Sequence, residues 1–140
     1  MSRMTTSLDT VFDLSLARTL IAREVDQPLS QHGISLADLA LLRELRTAPG
    51  GKLRRSELAQ RVGITPSGVA RQLGPLERIG LAGRESHERD ARLALVVLTE
   101  TGTRVVDEAL ETAELAADEA LAARWPAAAD RERLGKLLRR

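Results

Sequence analysis

Apolar residues recur about one helical turn apart over residues 8–31: Leu8, Val11, Phe12, Leu16, Leu20 and Val25, with Leu14, Ala17 and Ile21 widening the stripe. Pro28 is expected to bend or end this helix, and Gly33 to stop it. Ser35 suits the N-cap of a second helix with Leu36, Leu39, Ala40, Leu42 and Leu45 on its apolar face. Ala48-Pro49-Gly50-Gly51 is a turn. Ser56 is expected to cap a short third helix over residues 57–62, which Gly63 ends in the left-handed conformation. Ile64 is expected as a buried link. Thr65 then caps a fourth helix with Pro66 at its first position, where a missing N–H costs nothing. That helix is expected to bury Val69, Leu73, Leu76 and Ile79, and to kink at Gly74-Pro75 before Gly80 ends it. Alternation predicts strands over residues 81–86 and 93–98, joined by the charged link His87-Glu88-Arg89-Asp90-Ala91-Arg92. Thr99 caps a long helix to Arg124, Pro126 stops it, and a last helix covers residues 127–139 with Leu134, Leu137 and Leu138 on one side.

A chain of 140 residues, 43% apolar and 29% charged, fits one soluble globular domain. Phe12 and Trp125 are its only large rings, so the core is built from Leu, Val, Ile and Ala, a palette that favours helix packed on helix. The absence of cysteine excludes disulfides, thiolate zinc sites, iron–sulfur clusters and cysteine-based oxidant sensing. His32 and His87 are too few to suggest a metal site. No apolar run reaches the roughly 18–20 residues of a membrane span, and residues 1–10 have no apolar signal-peptide core. A cytoplasmic location without membrane contact is expected.

Charge is unevenly distributed behind a net +1. Residues 52–92 hold nine Lys/Arg against five Asp/Glu, residues 93–123 one against seven, and residues 124–140 six against two. A basic middle beside an acidic segment suits a nucleic-acid face, although helices also carry solvated charge of this kind. The short helix, glycine turn and well-capped longer helix over residues 56–79 form a helix-turn-helix, whose second helix enters the major groove N-terminus first. Ser67 can bond a base or phosphate there, and Gly68 lets the backbone come close. Arg71 can fork onto guanine and Gln72 can pair with adenine. Arg89 and Arg92 at the hairpin tip can reach phosphates or a minor groove.

Enzymatic alternatives find little support. Gly50-Gly51-Lys52 lacks the full phosphate-loop spacing, and no nucleophile elbow, H-E-x-x-H or dinucleotide fingerprint occurs. Asp107, Glu108, Glu111 and Glu114 have the spacing of a solvated helix face. A helix-turn-helix used only for protein contacts predicts an uncharged or acidic second helix, against Arg71 and Arg78.

The segment from Ser56 to Ile64, then Pro66-Ser67-Gly68-Val69-Ala70-Arg71 and Leu76-Glu77-Arg78-Ile79-Gly80-Leu81, closely resembles the DNA-binding core of the MarR family of regulators. Asp90-Ala91-Arg92 is similar to that family's D-x-R wing signature, and Leu98-Thr99-Glu100-Thr101-Gly102 to the start of its long fifth helix. The resemblance implies a mainly α (α+β) fold, a winged helix-turn-helix core flanked by N- and C-terminal dimerisation helices. It divides one compact domain into a dimerisation helix (1–34), a DNA-binding region (35–98) and C-terminal dimerisation helices (99–140). It further implies a homodimer on pseudo-palindromic double-stranded DNA, usually a repressor, with no cofactor and with a small phenolic or anionic effector between the two regions. By the same resemblance Ser67 and Arg71 are recognition contacts, Arg92 is a wing residue and Asp90 braces the wing.

Overall fold

The computed structural model describes residues 4–86, 89–90 and 93–139. Helix α1 (Ser7–Leu29) starts at Thr6, whose hydroxyl accepts from the Asp9 backbone at 3.1 Å while the Asp9 carboxylate accepts from the Thr6 backbone at 3.0 Å. This reciprocal box satisfies two amides that a helix start leaves open. Pro28 sits in the last turn, a 3-10 turn (Ser30–His32) follows, and Gly33 turns the chain at φ 75°. Helix α2 (Leu36–Thr47) is capped by Ser35 and Asp38 in the same way.

α2 buries Leu39, Leu41, Leu42 and Leu45, whereas Ala40, expected on the apolar face, is exposed. The arc is wider than one stripe because α2 is packed by a long helix on one side and by a short helix and a strand on the other. The expected turn at residues 48–51 forms, with Gly50 and Gly51 both at positive φ. It feeds a strand that the pattern did not reveal, β1 (Lys52–Arg54), too short to display a period.

β1 runs straight into α3 (Arg55–Val62). The N-cap is therefore Arg54, without a side-chain cap bond, and Ser56 lies inside the first turn instead of capping it. Gly63 ends α3 at φ 75°, as expected. Helix α4 (Pro66–Arg78) begins at Thr65, whose Oγ1 accepts from the Gly68 amide at 3.0 Å, and runs unbroken through Pro75. Val69, Leu73 and Leu76 are buried. Ile64 and Ile79 are not, at 40% and 55% exposure. Ile64 lies over Gly68 outside the core, and Ile79 sits at the C-cap, beyond the last regular turn of the buried face.

Strands β2 (Ala82–Ser86) and β3 (Ala94–Leu98) complete an antiparallel sheet of order β1-β3-β2, with Val96 opposite both Leu53 and Arg84. Helix α5 (Glu100–Arg124) and helix α6 (Ala128–Leu138) follow. Thr99 locks the sheet to α5. Its hydroxyl accepts from the Gly102 amide at 2.9 Å and donates to the Gly80 carbonyl at 2.6 Å, and its own amide donates to the Leu81 carbonyl.

The core is aliphatic, as composition requires. Leu29, Leu41, Leu42, Leu45, Leu58, Leu73 and Leu76 are fully buried with Val25, Val69 and Val106. No polar or charged residue is buried among those described. One cluster joins α1, α2, α3, α4, the sheet and α5, so the helix pair α3–α4 is carried on the same core as the long helices.

Candidate nucleic-acid interface

α4 is held inward by Val69, Leu73 and Leu76, which fixes what its other side presents. Ser67 and Arg71 are exposed near its capped start. Arg71 makes no hydrogen bond or ion pair among the described residues, so its guanidinium is available to a ligand. Ser67 is 3.3 Å from the Thr65 hydroxyl. Gly68 is half-buried, and a Cβ there would come within 3.2 Å of Thr65 Oγ1. Glycine at this position thus leaves the cap bond undisturbed.

Gln72 departs from the expected surface position. It is half-buried, and its Nε2 donates to Asp38 Oδ1 at 3.2 Å, the same carboxylate that caps α2. Its side chain is committed to the α2–α4 junction, not displayed beside Arg71.

The basic run divides in the same manner. Lys52 pairs with Glu85 at 2.8 Å across the sheet, Arg84 with Glu77 at 2.8 Å, and Arg61 with Glu44 at 3.5 Å. Arg54 approaches Glu57 at 3.8 Å. Arg55, Arg71 and Arg78 remain without a partner among the described residues. Arg55 is the position that sequence reasoning passed over. Its signal was present, two consecutive arginines in the basic segment, but the third helix was expected to start after it. At the hairpin, Arg89 is exposed and Asp90 half-buried, with the Asp90 carbonyl accepting from the Leu93 amide at 3.0 Å. Arg92 lies outside the described residues.

Behind this face, a cavity of about 470 Å³ opens between α1, α2, α5 and the end of α3, with Ile21, Val25 and Leu39 on its walls and Arg43, Glu44, Arg61 and Glu114 as its charged lining. No aromatic ring lines it. Another hollow, of about 530 Å³, lies between α1 and α5 around Glu24 and Glu119 and touches neither α3 nor α4. No group of three or more potential metal ligands occurs among the described residues, and none of their helices is long and apolar enough to cross a membrane.

A MarR family model matches residues 32–93, from the close of the 3-10 turn after α1 to the residue before β3. Over 97 residues the chain is 33% identical to ML2140, an uncharacterized HTH-type transcriptional regulator of Mycobacterium leprae. The match covers 69% of this chain and 66% of that protein, about two thirds of its length. The crystal structure of Sco3205, a MarR family transcriptional regulator from Streptomyces coelicolor in complex with DNA, is similar at a TM-score of 0.82 and 27% identity, over 99% of this chain and 88% of that one. The chain belongs to the MarR family.

A second MarR family protein, Rv2887 of Mycobacterium tuberculosis in complex with p-aminosalicylic acid, is similar at a TM-score of 0.69 and 26% identity, over 91% of this chain and 93% of that one. MarR proteins are transcriptional regulators, not enzymes. In this MarR chain α3 and α4 are the helix-turn-helix and β2–β3 the wing, a mainly helical winged-helix fold as the sequence resemblance implied. Asp107, Glu108, Glu111 and Glu114 are all exposed on α5. Asp107 takes a two-point bond from Arg46, at 2.9 and 3.3 Å, which ties α2 to α5 and raises the Arg46 pKa through that hydrogen bond.

Proposed function

We propose that this MarR regulator acts as a homodimeric repressor on a pseudo-palindromic operator, releasing it when a small anionic effector enters the cavity. The observation that carries the reading is Arg71, unpartnered and exposed one turn inside the capped start of α4. A helix start of this kind is what enters a major groove, and a forked arginine–guanine contact contributes about 1–3 kcal/mol of base discrimination. Ser67 and Gly68 sit in the same turn and let the backbone approach, while Arg89 and Arg92 of the wing extend the contact to phosphates or the adjoining minor groove. Gln72 takes no part, because Asp38 holds it.

The homodimer is argued from α1. Between Ser7 and Leu20 every residue is exposed or half-buried, including Leu8, Val11, Phe12, Leu14 and Leu16. An apolar helix projecting this way is marginal in water, and a two-fold partner supplies the missing cover. Leu137 and Leu138 of α6 are exposed in the same sense. Residues 1–34 and 99–140 then serve dimerisation and residues 35–98 serve DNA, with recognition helices about 34–36 Å apart, one duplex turn.

The effector is argued from the aliphatic cavity and from Arg43 and Arg61, which line it beside Glu44 and Glu114. Arg61 stands two residues before the Gly63 turn into α4 and is bridged to Glu44 of α2. An anion drawn to Arg61 competes with that bridge and moves the helix pair. The p-aminosalicylic acid bound by the Mycobacterium tuberculosis relative is an anion of suitable size.

Fluorescence anisotropy with the chain's own upstream duplex and a scrambled one, each at about 50 and 200 mM salt, tests the reading. A dimer neutralising roughly 6–10 phosphates loses about 10³–10⁵ in affinity over that interval. The upstream duplex is expected to bind far more tightly than the scramble. Equal, weak binding puts the operator outside the upstream duplex, and no binding at low salt contradicts DNA binding itself.

A further inference from the structure

The recognition helix and the wing address neighbouring grooves, so one sugar-phosphate strand has to cross the protein surface between them. That place in the fold is a hollow of about 160 Å³ lined by Arg54, Arg55, Ser56, Pro66, Leu93 and Ala94. It joins the first turn of α3, the first turn of α4 and the start of β3, at the loop end of the wing. Three properties suit it to an anion. No carboxylate among the described residues lines it. Arg55, which also lines the narrow cleft between Ala70 and Leu73 of α4 and strand β3, makes no hydrogen bond or ion pair among the described residues. Ser56 is exposed, with a hydroxyl that neither caps the helix nor bonds elsewhere among the described residues.

We propose that this hollow is a backbone-phosphate site, in which Arg55 and the Ser56 hydroxyl grip the phosphate that separates the groove of α4 from the groove of the wing. The inference rests on the DNA-binding reading above and adds a contact that sets register without reading sequence. Arg55 is a positioning residue. By holding the strand between two reading elements it adds affinity on any sequence. Arg54, drawn toward Glu57, contributes the less directed charge.

The test compares the full chain with Arg55→Ala, Arg55→Lys and Ser56→Ala on the upstream and scrambled duplexes, across 50 to 200 mM salt. A phosphate contact adds about 0.9 to the slope of log affinity against log salt. Arg55→Ala is expected to make the slope shallower by about that amount per protomer and to weaken both duplexes by the same factor. Arg55→Lys is expected to keep the slope, and Ser56→Ala to weaken both duplexes equally with the slope unchanged. If Arg55→Ala does not fold by circular dichroism, Arg55→Gln takes its place with the same readout. An unchanged slope in the neutral variant overturns the proposal, as does a loss confined to the upstream duplex. Because the scrambled duplex suffices, failure is separable from that of the parent reading: a wild-type chain that binds neither duplex overturns DNA binding, whereas one that binds with a slope indifferent to Arg55 overturns only this site.

Discussion

Arg71 and Gln72 are adjacent in sequence and face different tasks. A helix advances about 100° per residue, so neighbours do not share a face. Side-chain chemistry made both credible base readers. Only packing separates them, because Asp38 arrives from 34 residues upstream to claim the amide. Arg71→Ala is accordingly expected to cost about 1–3 kcal/mol of discrimination at one operator base pair, roughly 5- to 150-fold, with little change in Tm. Gln72→Ala is expected to do the reverse, removing about 0.5–1.5 kcal/mol of stability and leaving base preference intact. Competition binding against single-base operator variants, beside thermal melts of both proteins, checks the pair. The errors at Ser56, Ile64 and Ile79 have a related origin. A cap depends on where the preceding strand stops, and the burial of a junction residue depends on what arrives to cover it; neither is local.

Elements were legible wherever a period or a capping pair ran long enough. Ser35, Thr65, Gly63 and Thr99 stand at the boundaries their chemistry predicts. β1 escaped because three residues cannot show alternation, and its pairing with β3 comes from residues over 40 positions away. Gly102 shows a constraint of the same long-range kind. A Cβ there would stand 2.0 Å from the Leu81 carbonyl oxygen, where the wing meets α5. The glycine permits the approach that lets Thr99 bond both Gly80 and Gly102. Gly102→Ala forces backbone apart and is expected to cost at least about 1–3 kcal/mol, seen as a Tm lower by several degrees. Gly83→Ala, with nothing within 4 Å of the added carbon, is the control expected to melt close to wild type.

At the scale of the whole molecule, cohesion is divided unevenly. The aliphatic core binds the second half of α1 to α2 and α5, and Arg124 clasps Glu24 at 2.7 and 3.1 Å across α1 and α5. That hydrogen bond holds the Glu24 carboxyl below its ordinary pKa, so the stability it contributes is present at neutral pH and is lost as acidification protonates it. The first half of α1 has no such support. Leu8, Phe12 and Leu16, four residues apart, are 58–62% exposed. The sequence announced this stripe and a helix to carry it. What covers it is a property of the assembly, which one chain's pattern does not specify.

The direct test of a two-fold operator-binding regulator is sedimentation equilibrium of the wild type and of Leu16→Glu, alone and with the upstream duplex. Leu16 is exposed in one protomer, so the substitution leaves the monomer's core untouched while placing two carboxylates in the proposed dimer face. The account predicts a wild-type dimer that loads two chains per duplex, and a folded Leu16→Glu monomer whose affinity collapses. A wild type that sediments as a monomer, or a Leu16→Glu protein that remains dimeric and binds DNA as before, would contradict it.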